Sequence, residues 1–265
     1  MRIWITVLCC VFLAGCQEEV SSQSVSEYIP EGSTVSIEVA GSNYKVVEPE
    51  IVGEETAPNP SVVYLRASLG PTCSSSTAFF VKHRGETFLV TSKHSVIDSN
   101  TLSITWGSSK KIPFTVVKNG FSDVDIAAFL IKTKNPVPCL LLESLSVVQS
   151  VPRNDIVTGI PETWEPIECN IYGYPGGRSF RTVHGKLTHR ADFVTSSYFI
   201  SSAKSVSGMS GGPWVSCKTG RVLAVHTSSI GEEGNSRAGG VSVEELYKLL
   251  DSLIGVGCSS DMSVD

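Results

Sequence analysis

Apolar and polar residues alternate in short segments from about residue 60 to residue 230, which is the period of half-buried β-strands. These segments form two series, separated internally by Gly, Asn, Ser and Pro turn signals. The first series lies at 61–67, 78–83, 86–92, 102–106, 114–118 and 126–132; the second lies at 168–174, 180–189, 196–202, 212–216 and 221–228. Residues 143–166 lack clean alternation and are predicted to connect them. A length of roughly 200 residues suffices for two cores, so the pattern predicts an all-β protein built from two β domains.

One segment, residues 242–255, has helical spacing instead. Its apolar residues recur on one face, and Gly255 marks its end. Ser242 followed by Glu245 has the spacing of a capping box at the helix start. The apolar stripe consists of Leu246, Leu249, Leu250 and Leu253. The sequence therefore predicts a closing α-helix after the second β domain.

Three distant stretches carry residues suited to nucleophilic catalysis, in the order His, Asp, Ser. They are TSKHSVID around His94, SDVDIAAFLI around Asp125 and SGMSGGPW around Ser210. A serine hydroxyl needs an imidazole to take its proton and a carboxylate to orient that imidazole. The backbone N–H groups of Gly208 and Ser210 could together face a developing oxyanion, and glycine at 208 permits the turn that this requires. Asp123 competes with Asp125 but lies further from the apolar run that would bury it.

In these motifs the chain resembles the chymotrypsin-like (trypsin-like) serine proteases over roughly residues 60–250. The resemblance implies an all-β fold of two six-stranded antiparallel β-barrels with a C-terminal α-helix. The barrels are expected at 58–150 and 151–257. The cleft between them would assemble a triad of His94, Asp125 and Ser210, with Gly208 and Ser210 as the oxyanion hole. The expected activity is that of a serine endopeptidase acting on proteins or peptides.

Two other functions are compatible with parts of this pattern. The G-x-S-x-G pattern also opens the nucleophile elbow of α/β-hydrolases, but that fold needs an acid and then a histidine after the serine. Here every aspartate beyond Ser210 follows the last histidine, His226, so the order fails. The remaining alternative is a catalytically silent binding or scaffold protein with a protease fold, because a fold alone does not guarantee activity.

The N-terminus indicates export. Arg2 precedes an apolar run at 3–14 that is too short to cross a bilayer but has the proportions of a secretory signal. The sequence LAGC resembles the lipobox of bacterial lipoproteins, which implies a signal peptide at 1–15 and acylation of Cys16. By resemblance to enterobacterial sorting, Gln17 favours the outer membrane. We therefore expect a lipid-anchored protein of the bacterial cell envelope, facing the periplasm or the surface.

Residues 16–57 are predicted to be an acidic, flexible tether, and 258–265 a short tail. From 17 to 57 the chain has nine glutamates and one lysine, although short strands are possible near 35–39 and 41–47. Residues 51–54, IVGE, resemble the N-terminus freed in trypsin-type zymogens. Those enzymes pair it with an aspartate before the catalytic serine, and Met209 at that place cannot form the ion pair. The motif is read as a coincidence.

The formal net charge of −5 and the lack of a basic stripe argue against a nucleic-acid partner. Five of the eight cysteines would remain in the mature chain after Cys16. By resemblance to family members, Cys169 and Cys217 are expected to form a disulfide, while Cys73, Cys139 and Cys258 leave the pairing open. The mature sequence has no closely spaced pair such as C-x-x-C that would suggest a metal site. We expect a monomer without a cofactor.

The specificity pocket is predicted from a further resemblance. GYPGG at 173–177 and a late histidine are similar to bacterial glutamyl endopeptidases, in which a histidine contacts a Glu side chain at P1. His226 stands at the matching place, and Ser205, Ser229 and Gly240 would complete the pocket. Lys204 lies where trypsin-type pockets carry an aspartate, which disfavours Arg or Lys at P1. The resemblance implies a Glu or Gln preference; alternatively His226 is a core histidine.

Overall fold

The computed structural model describes most of the chain from residue 59 to residue 255, together with three short strands before it. The described residues are 36–39, 42–45, 54–55, 59–69, 72–106, 110–153, 164–177, 179–193, 196–230 and 237–255. The predicted signal peptide, Cys16, the motif at 51–53, Cys258 and the tail lie outside them. Within the predicted tether, β1 (Ser36–Val39) and β2 (Ser42–Lys45) pair as an antiparallel hairpin.

The first sheet contains seven antiparallel strands, of which one has only two residues. In spatial order they are β8, β7, β4, β5, β6, β10 and β9. Their bounds are β4 (Val62–Leu69), β5 (Thr72–His83), β6 (Glu86–Thr91), β7 (Thr101–Trp106), β8 (Lys110–Lys111), β9 (Phe114–Phe121) and β10 (Ala127–Thr133). Among the described residues β8 and β9 remain the two edges, so this sheet is a half-barrel with six principal strands.

The second sheet closes on itself. Its spatial order is β11, β14, β15, β16, β13 and β12, and β11 pairs with both β14 and β12. The strands are β11 (Ile167–Gly173), β12 (Arg181–Phe193), β13 (Ser196–Ser201), β14 (Pro213–Ser216), β15 (Val222–Ile230) and β16 (Arg237–Ser242). The two-residue β3 (Glu54–Glu55) adds to the outside of β12. The prediction of two six-stranded antiparallel sheets is therefore confirmed, with one closed barrel and one half-barrel.

In the described residues, two α-helices complete the fold. The short α1 (Leu145–Gln149) lies in the connection, and α2 (Val243–Leu253) follows the last strand, as the apolar stripe predicts. All four leucines of that stripe are buried. In the part of the chain that the structure describes, none of the helices has the length and apolar character needed to cross a bilayer.

The core consists of two apolar clusters, one within the first barrel that includes Leu65 and Phe80, and one shared by both sheets. In β4 and β11 buried and less buried residues largely alternate, as the strand period requires. One continuous apolar cluster runs from Val62 and Phe79 of the first sheet to Trp214 of the second and Leu250 of α2. Fully burying a side chain of this size contributes about 1.5–3 kcal/mol. This shared core fixes the two barrels against each other and so sets the geometry of the cleft.

The predicted Cys169–Cys217 disulfide is wrong in this structure, where both residues are free thiols. Cys169 faces the core of the closed barrel, and its cross-strand partner on β14 is Ser216. Cys217 follows Ser216 and lies on an exposed turn beyond the end of β14. Burial raises the pKa of the Cys169 thiol to about 12, so the thiol stays protonated and unreactive.

Candidate functional site

His94 lies in a single 3₁₀ turn, Lys93–Ser95, immediately after the buried strand β6. The turn is held by hydroxyls: Ser92 Oγ and Ser95 Oγ are 2.6 Å apart, and Ser74 Oγ donates to the Ser95 carbonyl at 3.0 Å. The side chain of His94 remains 41% exposed. The ring is therefore anchored at its backbone but open toward the cleft.

Asp125 lies in the tight connection between β9 and β10. The Ile126 N–H donates to the Val124 carbonyl at 2.8 Å, and Ser122 Oγ donates to the same carbonyl at 2.8 Å. The carboxylate binds His94 twice: Oδ1 accepts from the backbone N–H at 2.8 Å, and Oδ2 lies 2.6 Å from ring Nδ1. Asp123, the competing candidate, is exposed.

This double contact fixes the tautomer of His94. An ionised carboxylate can only accept, so the ring donates from Nδ1 and its Nε2 carries a lone pair. An imidazole held in this way is ready to take a proton at Nε2. The arrangement is what a serine hydroxyl needs nearby in order to become a nucleophile.

Ser210 lies on the turn at residues 206–212, hereafter the Ser210 turn, which leads into β14. Hydrogen bonds between backbone groups restrain most of this turn. The Ser207 carbonyl accepts from the Gly176 N–H at 2.8 Å, and the Met209 carbonyl accepts from the Gly212 N–H at 2.9 Å. The C=O and N–H of one peptide point in opposite directions. These two bonds therefore restrain the peptides that carry the N–H groups of Gly208 and Ser210, while the peptide between them is held by other contacts.

These two N–H groups are available to a ligand. Among the described residues, neither the Gly208 N–H nor the Ser210 N–H has a hydrogen-bond acceptor. Gly208 has φ +91°, and an added Cβ would lie 2.6 Å from both Gly176 N and Tyr174 O. Only glycine fits there without displacing the backbone. Two oriented, unsatisfied amides are the geometry that stabilises an oxyanion.

The two barrels bring their residues together across the cleft. The Ser210 carbonyl of the second barrel accepts from the Thr77 N–H of the first at 2.9 Å, while within the second barrel the Gly211 N–H donates to the His226 carbonyl at 2.7 Å. His94 is near enough to this strand to contribute to lowering the pKa of His226. No contact among the described residues joins the His94 ring to Ser210 Oγ.

His226 lies on β15 and is 1% exposed. Burial, with a smaller contribution from His94, lowers the pKa of its imidazole to about 4, so the ring is neutral at pH 7. Trp214 Nε1, which can only donate, lies 3.4 Å from Nδ1 of His226. The proton of the neutral ring therefore resides on Nε2, which lies 2.8 Å from Ser205 Oγ.

The other predicted pocket residues are placed around this histidine. Gly240 on β16 is the cross-strand partner of His226, and an added Cβ would lie 2.9 Å from Cε2 of Trp214. Ser205 is half-buried, and Ser229 is exposed further along β15. The structure brings Ser205 and Gly240 to His226, while Ser229 lies three residues along the strand. In the described parts of the chain, no group of three or more His, Cys, Asp or Glu side chains is arranged to hold a metal ion.

The sequence patterns missed two residues that organise the site. Trp214 sets the tautomer of His226, and it was visible in GGPW without an assigned role. Thr77 bridges the barrels from within a serine-rich run, SSST, whose composition alone does not distinguish one hydroxyl from another. Only the pairing of strands from opposite ends of the chain shows which hydroxyl faces the Ser210 turn.

Comparison with known proteins agrees with the fold. The sequence model of the trypsin-like peptidase domain matches residues 76–225, more than half of the chain. No curated protein sequence matches the chain.

Solved structures give the same architecture at low identity. The active form of the Rv3671c protease from M. tuberculosis is 20% identical, with a TM-score of 0.58; the match covers 81% of this chain and 95% of that one. The HtrA-type protease AlgW with tripeptide is 16% identical, with a TM-score of 0.57, and the match covers 74% of this chain and 60% of that one. The serine endoprotease from Yersinia pestis is 16% identical, with a TM-score of 0.56, covering 74% and 64%. At these identities the likeness shows the fold alone.

Proposed function

The chain belongs to the trypsin-like peptidase family, and from that premise we propose that it is a serine endopeptidase with Ser210 as its nucleophile. The observation that carries this proposal is the double hydrogen bond from His94 to Asp125, at 2.8 and 2.6 Å. It leaves Nε2 of His94 free to act as a base. A scaffold protein has no need to hold one histidine in one tautomer while leaving it 41% exposed.

The proposed reaction follows from this geometry. Ser210 Oγ attacks the carbonyl carbon of the scissile peptide as its proton passes to Nε2 of His94. The carbonyl oxygen becomes an oxyanion and accepts from the N–H groups of Gly208 and Ser210. His94 then returns its proton to the leaving amine, and the C–N bond breaks to leave an acyl-enzyme. Water, deprotonated by His94, hydrolyses the ester and restores Ser210.

We further propose a preference for Glu or Gln at P1. The Nε2–H of neutral His226 donates to Ser205 Oγ, which leaves the O–H of Ser205 free to donate. That O–H can donate to the side-chain oxygen of a Glu or Gln residue. A site built to pair a polar side chain rejects apolar isosteres, since its buried polar groups would then be unpaired.

The proposal includes export and lipid anchoring at Cys16. Its support is the sequence alone: the apolar run at 3–14 followed by LAGC. An anchor with more than one acyl chain would hold the protein at a membrane stably, whereas one chain is marginal. The cell envelope is the proposed location.

Hydrolysis of a mixed peptide library by the full chain tests the activity and the preference together. We expect cleavage after Glu or Gln. Ser210→Ala should lower the rate by about 10⁶-fold, because the nucleophile and its base act as a unit. Ser205→Ala should lower kcat/KM for Glu substrates by roughly 10-fold while sparing other substrates, as one hydrogen bond is lost.

The control is Ser150→Ala, which removes an exposed hydroxyl at the end of α1 and should leave the rate unchanged. Cleavage after Phe or Arg would overturn the P1 preference alone. Equal rates for wild type and Ser210→Ala would overturn the proposed enzyme.

A further inference from the structure

Thr77 of the first barrel is bonded into the Ser210 turn of the second. It lies on β5, is fully buried, and its carbonyl accepts from Thr91 Oγ1 at 2.7 Å. Its backbone N–H donates to the Ser210 carbonyl at 2.9 Å. A residue from a different barrel therefore contacts the nucleophile's own peptide group.

The hydroxyl of Thr77 makes two further bonds, and their directions are determined. The Tyr174 N–H can only donate, and it lies 3.0 Å from Oγ1. The hydroxyl accepts there, so its own hydrogen is directed to the Gly208 carbonyl at 2.8 Å. The hydroxyl therefore acts as acceptor and donor at the same time, which fixes its orientation.

The Gly208 carbonyl belongs to the Gly208–Met209 peptide group, which lies between the two proposed oxyanion donors. Gly208 has φ +91° and no side chain, so its backbone has little intrinsic preference to stay in this conformation. Rotating this peptide would change ψ of Gly208 and φ of Met209, and these are the torsions between the Gly208 and Ser210 N–H groups. The other carbonyls of the segment 207–210 accept from backbone amides, whereas the Gly208 carbonyl accepts from a side chain. The N–H of the same peptide, that of Met209, donates to the Val206 carbonyl at a longer distance of 3.2 Å.

We propose that Thr77 is a positioning residue for the oxyanion hole: its hydroxyl holds the Gly208 peptide so that both N–H groups face the substrate carbonyl. The inference rests on the proposed serine endopeptidase function. It also means that the oxyanion-hole geometry of the Ser210 turn, which belongs to the second barrel, depends on packing against the first barrel. Thr77 does not touch the reacting atoms and acts only through Gly208.

The test compares Thr77→Val, which keeps the shape and the backbone N–H but removes the hydroxyl, with Thr77→Ser, which keeps the hydroxyl. With the best peptide from the library, Thr77→Val should lower kcat by about 10- to 100-fold with KM within about 3-fold, because a misaligned oxyanion donor affects the transition state and not ground-state binding. Thr77→Ser should retain kcat within about 3-fold of wild type.

Thr188→Val is the matched control. Thr188 Oγ1 donates to the Ile200 carbonyl at 3.0 Å, away from the Ser210 turn, so its loss should lower stability without changing kcat. Thermal unfolding identifies variants that fail to fold. Should Thr77→Val not fold, Thr77→Cys replaces it, and its weak S–H donor should give a kcat between those of wild type and a strongly impaired enzyme.

The outcomes separate the two ideas. If the wild type is active and folded Thr77→Val, or Thr77→Cys in its place, has the same kcat, the positioning role is overturned. The proposed endopeptidase function is then unaffected. An equal loss in Thr77→Val and Thr77→Ser also overturns it, since the hydroxyl would then be irrelevant. Absence of serine-dependent turnover in the wild type overturns the proposed function and this inference together.

Discussion

Two histidines of the site, His94 and His226, have opposite environments and hence different chemistry. His94 is exposed to the cleft and bonded to a carboxylate, which suits a group that must gain and lose a proton. His226 is buried and bonded to Trp214 and Ser205, which suits a neutral donor of fixed tautomer. Both residues are histidines, so their surroundings determine that one suits the role of a general base and the other that of a substrate-recognition residue.

The pKa of His226 predicts how stability changes with pH. Its folded pKa of about 4 lies below the unfolded value near 6.5, so the unfolded chain binds a proton first as the pH falls. The stability associated with neutral His226 is complete above about pH 6.5 and is lost progressively down to about pH 4. Between pH 7 and pH 5 the loss should be about 2 kcal/mol.

Urea unfolding of wild type and His226→Gln at pH 7 and pH 5 measures this contribution. The variant lacks the titrating group, so its free energy of unfolding should fall by about 2 kcal/mol less than that of wild type over the same interval. Parallel pH dependence in the two proteins would show that His226 is not held neutral by the fold.

At the scale of elements, the helix α2 joins the closed barrel to the half-barrel. Asp251 contacts His83 at 2.7 Å and Arg84 at 2.9 Å, both at the β5–β6 hairpin. Lys118 Nζ of β9 donates to the Leu253 carbonyl at 2.9 Å. Together with its buried leucine face, these contacts make α2 the element that holds the first sheet near the second, and with it the cleft.

The start of α2 differs from the predicted capping box in both of its bonds. Ser242 is the N-cap, but its Oγ accepts from the Glu244 N–H at 3.2 Å and not from that of Glu245. The Glu245 carboxylate instead accepts from Lys248 Nζ at 2.8 Å. The spacing in the sequence located the helix start correctly, while a competing ion pair on the surface decided where the glutamate points.

Ser242→Ala should destabilise the protein by about 1 kcal/mol, because it leaves a first-turn N–H without its acceptor. Chemical denaturation followed by circular dichroism measures the change. Ser252→Ala is the control: Ser252 Oγ donates to the Leu249 carbonyl within the helix, and its loss should cost less than about 0.5 kcal/mol. Equal effects of the two substitutions would contradict the capping role.

At the scale of the whole molecule, local sequence patterns predict most strands and several of the site residues. The residues that the structure brings together at the cleft, His94 with Asp125 and Ser205 with His226, were named from motifs 31 and 21 residues apart. Local spacing indicates strands because the alternation of burial is itself local. The choice of Asp125 over Asp123 was also accessible, since the apolar run after Asp125 predicts its burial.

The rest depended on contacts that no local pattern encodes. The bonds of Thr77 to Gly208 span 131 residues, and those to Tyr174 span 97. The predicted Cys169–Cys217 bridge is wrong because a resemblance in position does not say where each thiol points in this chain. The open edges of the first sheet likewise follow from strand pairing and not from the number of strands.

The most direct measurement of the central claim is reaction of the full chain with a fluorophosphonate, which labels serines that an adjacent base has activated. Wild type should take up one label at Ser210, identified by mass spectrometry of the labelled peptide, and Ser210→Ala should take up none. Asp125→Asn should label about 10⁴-fold more slowly, because His94 loses its orienting carboxylate. A wild type that remains unlabelled, or a label found on another serine, would contradict the account.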